Sequence, residues 1–379
     1  MRKRIFFFSN GSADSASTWS NIPYCFTRAL EDKGIHVKKV NLDVCPWLSD
    51  FYDYFIRRII KLMYMPFGIA PNYASHTRWY QWLGNRVIKK NVEKYKDSDC
   101  CIFINYLFYN KYNGIPSLLL SDWPTTFDIQ KSGRTPNRMD RRLLNQEAEA
   151  INNADNVVSI FSLRAEEMKK DYPHANIHFL GGNVINNLYD KEIDGKEIIK
   201  IKSQSKSILF VGKLDRYKES AIKVIESFEI LRNEDPNLEL DIIGMSEHDL
   251  GHVPDGVHAY GFLRKDVPEE RDKYYELLIN AKVLVNPTPR WAAYSSMIEA
   301  MYFYTPVVVA PYEDFVAEFG ENINFGLYNR EFTVDSIAVN IKSVMSSDNY
   351  QNMCVSAHEK VNDYTWDNYA DKIINLIDK

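Results

Sequence analysis

The sequence predicts an α/β protein built from two parallel-sheet domains, and three observations carry that reading. The chain has 379 residues, more than one ordinary hydrophobic core accommodates. Short apolar bursts alternate with longer amphipathic stretches along its length. The bursts are apolar almost throughout rather than at every second residue, as in strands covered on both faces.

Taken in order, 4–8 (RIFFF), 36–42, 101–106, 117–120 and 157–162 read as strands of the first half. Residues 207–212, 238–244, 258–261, 283–286 and 306–310 read as strands of the second. Helical patterns between them include 164–171, 217–233 and 269–281. The stretch 190–207 is charged and ends in Lys-Ser-Gln-Ser-Lys-Ser, which marks it as the expected interdomain boundary. The expected layout is a first domain over residues 1–188, a second over 189–360, and a terminal segment over 361–379. No internal repeat or low-complexity tract interrupts it.

Composition is that of a globular protein: 45% apolar, 26% charged, net charge −5. Aromatic content is high, with 24 Tyr, 20 Phe and 7 Trp, which suits a protein that holds rings or sugars as well as one from a Tyr-rich proteome. Five scattered cysteines show no zinc or redox spacing, so a reducing compartment is expected. The apolar run at the start is too short for a signal peptide. No stretch of about 18 uncharged apolar residues exists, so a cytoplasmic protein, at most peripheral to a membrane, is expected.

Two parallel α/β domains place a ligand cleft outside the carboxyl ends of their strands. The first strand is followed by Ser-Asn-Gly-Ser-Ala-Asp-Ser-Ala-Ser-Thr-Trp, a small-residue loop without a GxGxxG pattern. Such a loop suits either an anion or plain solvent. In the second half FVGKLDRYKES places Lys213 at a strand end and Lys218 at the following helix start. Two point charges there suit a diphosphate; two solvated lysines would look the same. Farther on, NPTPRWAAYSSMIEAM sets Ser295 and Ser296 at a helix start, where hydroxyls and amides meet phosphate, and Glu299 one turn in. A carboxylate at that place accepts from a vicinal diol, or simply complements the helix dipole.

FVGKLDRYK, NPTPRWAAYSSMIEAMYFYTPVVVA and the closing YTWDNYADKI, in this order and at these separations, resemble the retaining family 4 glycosyltransferases. The first half resembles them through its small-residue loop, ADNVVSIFSLRAEEM and LGGNVINNLYD. The resemblance implies the GT-B fold: two Rossmann-like domains facing a cleft, with a C-terminal helix returning to the first. It implies transfer of a sugar from a nucleotide-diphosphate donor to a glycan or lipid-linked acceptor, with retention and without a metal ion. The family's basic pair on the donor diphosphate falls on Lys213, where Arg is usual, and on Lys218. The acid that holds the ribose falls on Glu299, the phosphate cradle on Ser295 and Ser296, and the base platform on Phe262 and Leu263. The loop at Asn10 and Gly11 would close over phosphate and acceptor.

Two departures stand out. Trp291 replaces the first acid of the family's Glu-x7-Glu motif, with Tyr294 at a usual Gly. Asp122, in SLLLSDWPTTF, stands near the place of the family's catalytic-side His. A Trp cannot accept hydrogen bonds from sugar hydroxyls, so a deoxy- or acetamido-sugar donor is expected. The same departures leave two alternatives open: a GT-B nucleotide-sugar epimerase, or a non-catalytic glycan- or nucleotide-binding partner of another transferase.

Three other signals stand in the sequence. Asp97-Ser98-Asp99 has the DxD form of a metal–diphosphate site but precedes a strand instead of following one. His248 and His252 have helical spacing, but Gly251 and Pro254 break any helix there. Residues 54–90 hold seven Lys/Arg, eight aromatics and no acid, a composition that suits an anionic membrane surface or, equally, a core with a solvated basic face. Nucleic acid is not expected, because the patch is isolated in an acidic chain.

Overall fold

The computed structural model describes residues 3–43, 45–64, 73–95, 98–112, 114–131, 133, 135–251, 253–289 and 294–378. The chain divides into two compact units, Met1–Gly182 with Trp366–Lys379, and Asn183–Thr365.

The first unit opens with β1 (Arg4–Ser9), α1 (Ile22–Asp32), β2 (His36–Asn41), α2 (Pro46–Phe51) and α3 (Arg57–Tyr64). It continues with α4 (Arg78–Lys94), β3 (Cys100–Phe103), β4 (Ser117–Ser121), α5 (Thr125–Lys131) and α6 (Arg138–Asn153). β5 (Asn156–Ser159), α7 (Ser162–Asp171) and β6 (Ile177–Phe179) complete it. Its strands pair in parallel in the order β2-β1-β3-β4-β5-β6. Phe8 is level with Phe103, and Ser121 with Ser159, so the carboxyl ends line one edge. Phe6, Phe8, Phe103 and Leu119 form the core beneath that edge.

The second unit begins with α8 (Gly195–Gln204), β7 (Ser207–Val211), α9 (Leu214–Glu234), β8 (Glu239–Ile243) and α10 (Glu247–Leu250). β9 (Val257–Ala259), α11 (Pro268–Asn280), β10 (Ala281–Asn286), α12 (Ser295–Tyr302) and β11 (Val307–Val309) follow. It ends with α13 (Glu313–Phe319), β12 (Gly326–Tyr328), α14 (Val334–Met345) and α15 (Tyr350–Val361). The sheet is parallel throughout, in the order β12-β11-β10-β7-β8-β9. Successive crossovers run one way from β7 through β9, and the other way from β10 through β12. The reversal falls between the neighbours β7 and β10, the doubly wound arrangement.

The last helix, α16 (Trp366–Ile377), belongs to the first unit. Trp366 stacks on Phe26 of α1 with ring centroids 4.9 Å apart. Lys33 bridges Asp367 and Asp371 at 3.0 and 2.8 Å. The expected return of the tail to the first domain is therefore observed.

The ten expected strands are all present with shifted ends. Two further strands, β6 and β12, lie at sheet edges and have three residues each. The charged stretch 190–207, expected as the interdomain boundary, lies inside the second unit, which begins at Asn183. It holds α8, which Asp194 caps by accepting from the amides of Lys196 and Glu197 at 2.9 and 3.2 Å. Its Ile198 and Lys202 are buried.

Candidate active site

In an open parallel sheet, ligands bind outside the carboxyl ends of the strands at the point where strand order reverses. In the second unit that point lies between β7 and β10. Lys213 directly follows β7, as the N-cap of α9. The segment leading to Ser295 follows β10, and Ser295 opens α12.

The backbone at this edge is unusually close. Gly212 donates its amide to Ile243 O at 2.9 Å, and Gly244 donates to Gly261 O at 2.7 Å. Gly244 has φ +100°, and a Cβ there would lie 2.4 Å from Gly212 O. Only glycine fits such a position.

Lys213 is exposed, with its ammonium 5.0 Å from the Phe262 ring centroid. Phe262, just past β9, is 62% exposed, an open ring face beside a cation. Leu263 is half-buried next to it. Lys218 is exposed on the first turns of α9. It contributes, behind the Ser246 amide and hydroxyl and His248, to holding the Asp249 carboxyl below its ordinary range. Ser295 and Ser296 are half-buried, and Ser295 Oγ accepts from Asn183 Nδ2 at 3.0 Å. At the neighbouring strand end, Thr288 donates to Asn286 Oδ1 at 2.5 Å and lies 2.9 Å from Ser220 Oγ on α9. Trp291 lies outside the described residues.

Glu299 differs from expectation. An acid one turn into a helix is normally solvated, but Glu299 is 5% exposed. Its Oε1 accepts from Lys265 Nζ at 2.5 Å and from the Tyr275 hydroxyl at 3.2 Å. Its Oε2 accepts from the Tyr274 hydroxyl at 2.8 Å. Burial, with the Glu299 charge second, raises the Tyr274 pKa well above its ordinary value, so the phenol keeps its proton and donates. Sequence reasoning missed Lys265, Tyr274 and Tyr275. Lys265 does sit a few residues past a strand end, where site residues gather, but nothing in its spacing pairs it with Glu299.

In the first unit, Gly11 follows β1 with φ +96°, and a Cβ would meet Thr18 Cγ2 at 2.8 Å. The Gly11 amide donates to Asn41 Oδ1 at 3.0 Å. Asn10 Oδ1 is buried and accepts from no described residue. Asp122 follows β4, two strands from β1 in the same sheet. Its Oδ1 accepts from the Trp123 amide at 2.9 Å and from Ser121 Oγ at 3.2 Å. Burial raises its pKa, against those hydrogen bonds. Behind it Glu147, also missed in the sequence, accepts from the Thr125 amide and hydroxyl.

Among the described residues, no three His, Cys, Asp or Glu side chains converge on a metal position. Asp99 Oδ2 accepts from the Arg4 amide at 2.7 Å and so ties down the start of β1; Asp97 and His252 lie outside the described residues. No described helix is long and apolar enough to cross a membrane.

Residues 192–361 match the family described as glycosyl transferases group 1. Among solved structures, the chain is similar to sucrose-phosphate synthase from Thermosynechococcus elongatus, with TM-score 0.66 and 16% identity over 99% of this chain and 98% of that one. It is similar to WaaG, a glycosyltransferase involved in lipopolysaccharide biosynthesis, with TM-score 0.64 and 14% identity over 98% and 99%. A variant of S. aureus TarM in complex with fondaparinux, α-GlcNAc-glycerol and UDP matches with TM-score 0.57 and 15% identity, over 78% of this chain and 59% of that one. At such identities the likeness is one of fold. No curated protein matches the sequence. Residues 192–361 thus carry the likeness to the group 1 glycosyl transferases, and the two parallel sheets build the GT-B fold.

Proposed function

We propose that the protein transfers a sugar from a nucleotide-diphosphate donor to a glycan or lipid-linked acceptor, with retention at the anomeric carbon. The observation that carries this reading is the reversal of strand order between β7 and β10, with Lys213 on one side and the Ser295 helix start on the other. A cation, an exposed aromatic ring at Phe262 and the start of α12 at one sheet edge match the parts of a nucleoside diphosphate. The UDP in the TarM complex is support of the same kind.

In this reading the base rests on Phe262 and Leu263, and Lys213, Lys218, Ser295 and Ser296 hold the diphosphate. Glu299 meets the ribose. The anomeric C–O bond to the diphosphate breaks while the acceptor oxygen bonds to the same carbon on the same face. The departing diphosphate oxygen takes the acceptor proton. The protein's contribution is electrostatic: the lysines and the α12 amides offset charge as it develops on the leaving group. Asp122, with Asn10 and Gly11, serves the acceptor side. Trp291 favours a deoxy- or acetamido-sugar, and the site uses no metal.

In this reading the acceptor side works at the inner face of a membrane, in the cytoplasm. The support is an exposed apolar row on α2, α3 and the π-helical segment Tyr52–Ile56 that joins them: Trp47, Phe51, Phe55, Leu62 and Met63, flanked by Arg58 and Lys61.

Incubation with UDP-, GDP-, dTDP- and ADP-sugars tests the reading. Release of nucleoside diphosphate with a glycosylated or hydrolysed product is expected. A product still bound to its nucleotide would make the protein an epimerase, and nucleotide binding without any turnover would make it a non-catalytic partner.

A further inference from the structure

A carboxylate offers about four lone-pair positions, two on each oxygen. On Glu299 the protein itself fills three. Lys265 and Tyr275 take both positions on Oε1, and Tyr274 takes one on Oε2. Each donor is fixed by something else as well. Lys265 also donates to Asn186 O at 3.2 Å and lies 4.4 Å from the Tyr274 ring centroid. The Tyr275 hydroxyl accepts the Leu188 amide at 2.7 Å, and its ring packs against Tyr189 and Phe303. Lys265 is only 13% exposed, so an ammonium that swung away would leave a buried carboxylate without its counter-charge.

A vicinal diol that chelates a carboxylate needs two acceptor positions, one for each hydroxyl. We infer that Glu299, held by Lys265, Tyr274 and Tyr275, takes a single hydroxyl of the donor's ribose, so the site does not distinguish ribonucleoside from 2′-deoxyribonucleoside diphosphates. The inference rests on the reading in which Glu299 meets the ribose. The one open position on Oε2 is satisfied by whichever hydroxyl reaches it, and loss of the other leaves no protein atom unpaired. In a chelating site the same loss would strand a buried acceptor, which is what produces strong discrimination. Tyr274 thereby becomes a specificity-determining residue: its hydroxyl occupies the second position a diol would need.

Calorimetric titration with UDP, GDP and ADP, each beside its 2′-deoxy and 2′,3′-dideoxy analogues, tests this. For the base that binds, the 2′-deoxy form should bind within about threefold of the ribo form, and the dideoxy form about tenfold more weakly. Tyr274→Phe keeps the ring and frees the second position, so there the 2′-deoxy form should fall about tenfold behind the ribo form. Three results would each overturn the inference and leave the nucleotide-sugar reading standing. These are a tenfold ribo preference in the parent, dideoxy binding equal to ribo, or an unchanged ratio in Tyr274→Phe. Failure of every diphosphate to bind overturns that reading and the inference together.

Discussion

Glu147 on α6 reaches the first residue of α5 and accepts both the amide and the hydroxyl of Thr125, at 2.9 and 2.8 Å. It stands in for a helix cap and fixes the turn that carries Asp122. The carboxyl is 2% exposed, and burial pushes its pKa from 4.5 up to about 7, against the pull of the Thr125 donors.

A raised carboxyl pKa means that folding favours the protonated form. The contribution is full below about pH 4.5 and is lost as pH rises through 7. Glu147→Gln removes the titration. Between pH 4.5 and 8 the parent should therefore lose roughly 3 kcal/mol more than the variant. Urea unfolding of both across that range checks it, and parallel pH profiles would refute the assignment.

Gly244 and Gly251 both have positive φ, +100° and +86°. Around Gly251 an added Cβ finds nothing within 4 Å, whereas at Gly244 it meets Gly212 O at 2.4 Å. Gly251→Ala should cost about 1–3 kcal/mol of backbone strain, because its φ +86°, ψ −120° conformation is one that only glycine adopts readily. Gly244→Ala should cost about 3 kcal/mol or more, because two strand ends must separate. It should also weaken nucleoside diphosphate binding, since the β7 turn carries Lys213. Equal costs in denaturant would mean that the close approach at the strand ends is not a real constraint.

Much of this architecture is readable in the chain, for a physical reason. Strands such as Ile208–Phe210 and Val283–Val285 are buried on both faces, so every residue in them is apolar. The edge strands β6 and β12 escape notice because three residues carry no periodicity, and Gly326 has no side chain to show a face. The positions of Lys213, Phe262 and Ser295 follow from strand ends, which sequence reveals. The environment of Glu299 does not, because it depends on how α11 brings Tyr274 and Tyr275 against α12, a tertiary fact. Glu147 is hidden in the same way: on α6 it reads as a solvated helix acid.

In the proposed reading, Lys213, Lys218 and the α12 amides would offset the charge of a diphosphate without a divalent ion. Excess EDTA should leave turnover unchanged, and Lys218→Ala should weaken a nucleoside diphosphate several-fold while leaving the bare nucleoside unaffected. Activity lost to EDTA and restored by Mn²⁺ or Mg²⁺ would sink the metal-free mechanism. An equal loss for nucleoside and diphosphate would move Lys218 away from phosphate.

The aromatic and basic segment divides between core and surface. Tyr80 is buried and Trp79 packs on the core, whereas Tyr54, Phe55, Tyr73 and Trp82 are exposed. Just ahead of the segment, Trp47 is 72% exposed, and within it Leu62 and Met63 are 71% and 65%. Solvent alone gives no reason for so many large apolar groups on adjoining helical turns. An anionic leaflet would give one: in the proposed reading the apolar row would enter the headgroup boundary, and Arg58 and Lys61 would meet the lipid charge. Co-sedimentation with phosphatidylglycerol vesicles at low salt is therefore expected, with release as salt shortens the attraction. Lys61→Gln should weaken binding about fivefold, from about 1 kcal/mol per surface cation. Leu62→Ser with Met63→Ser should weaken it further without altering thermal stability, because both side chains are solvent-exposed. Binding that is absent at low salt, or equal on neutral phosphatidylcholine vesicles, would remove the membrane from this account and return α2 and α3 to a different partner.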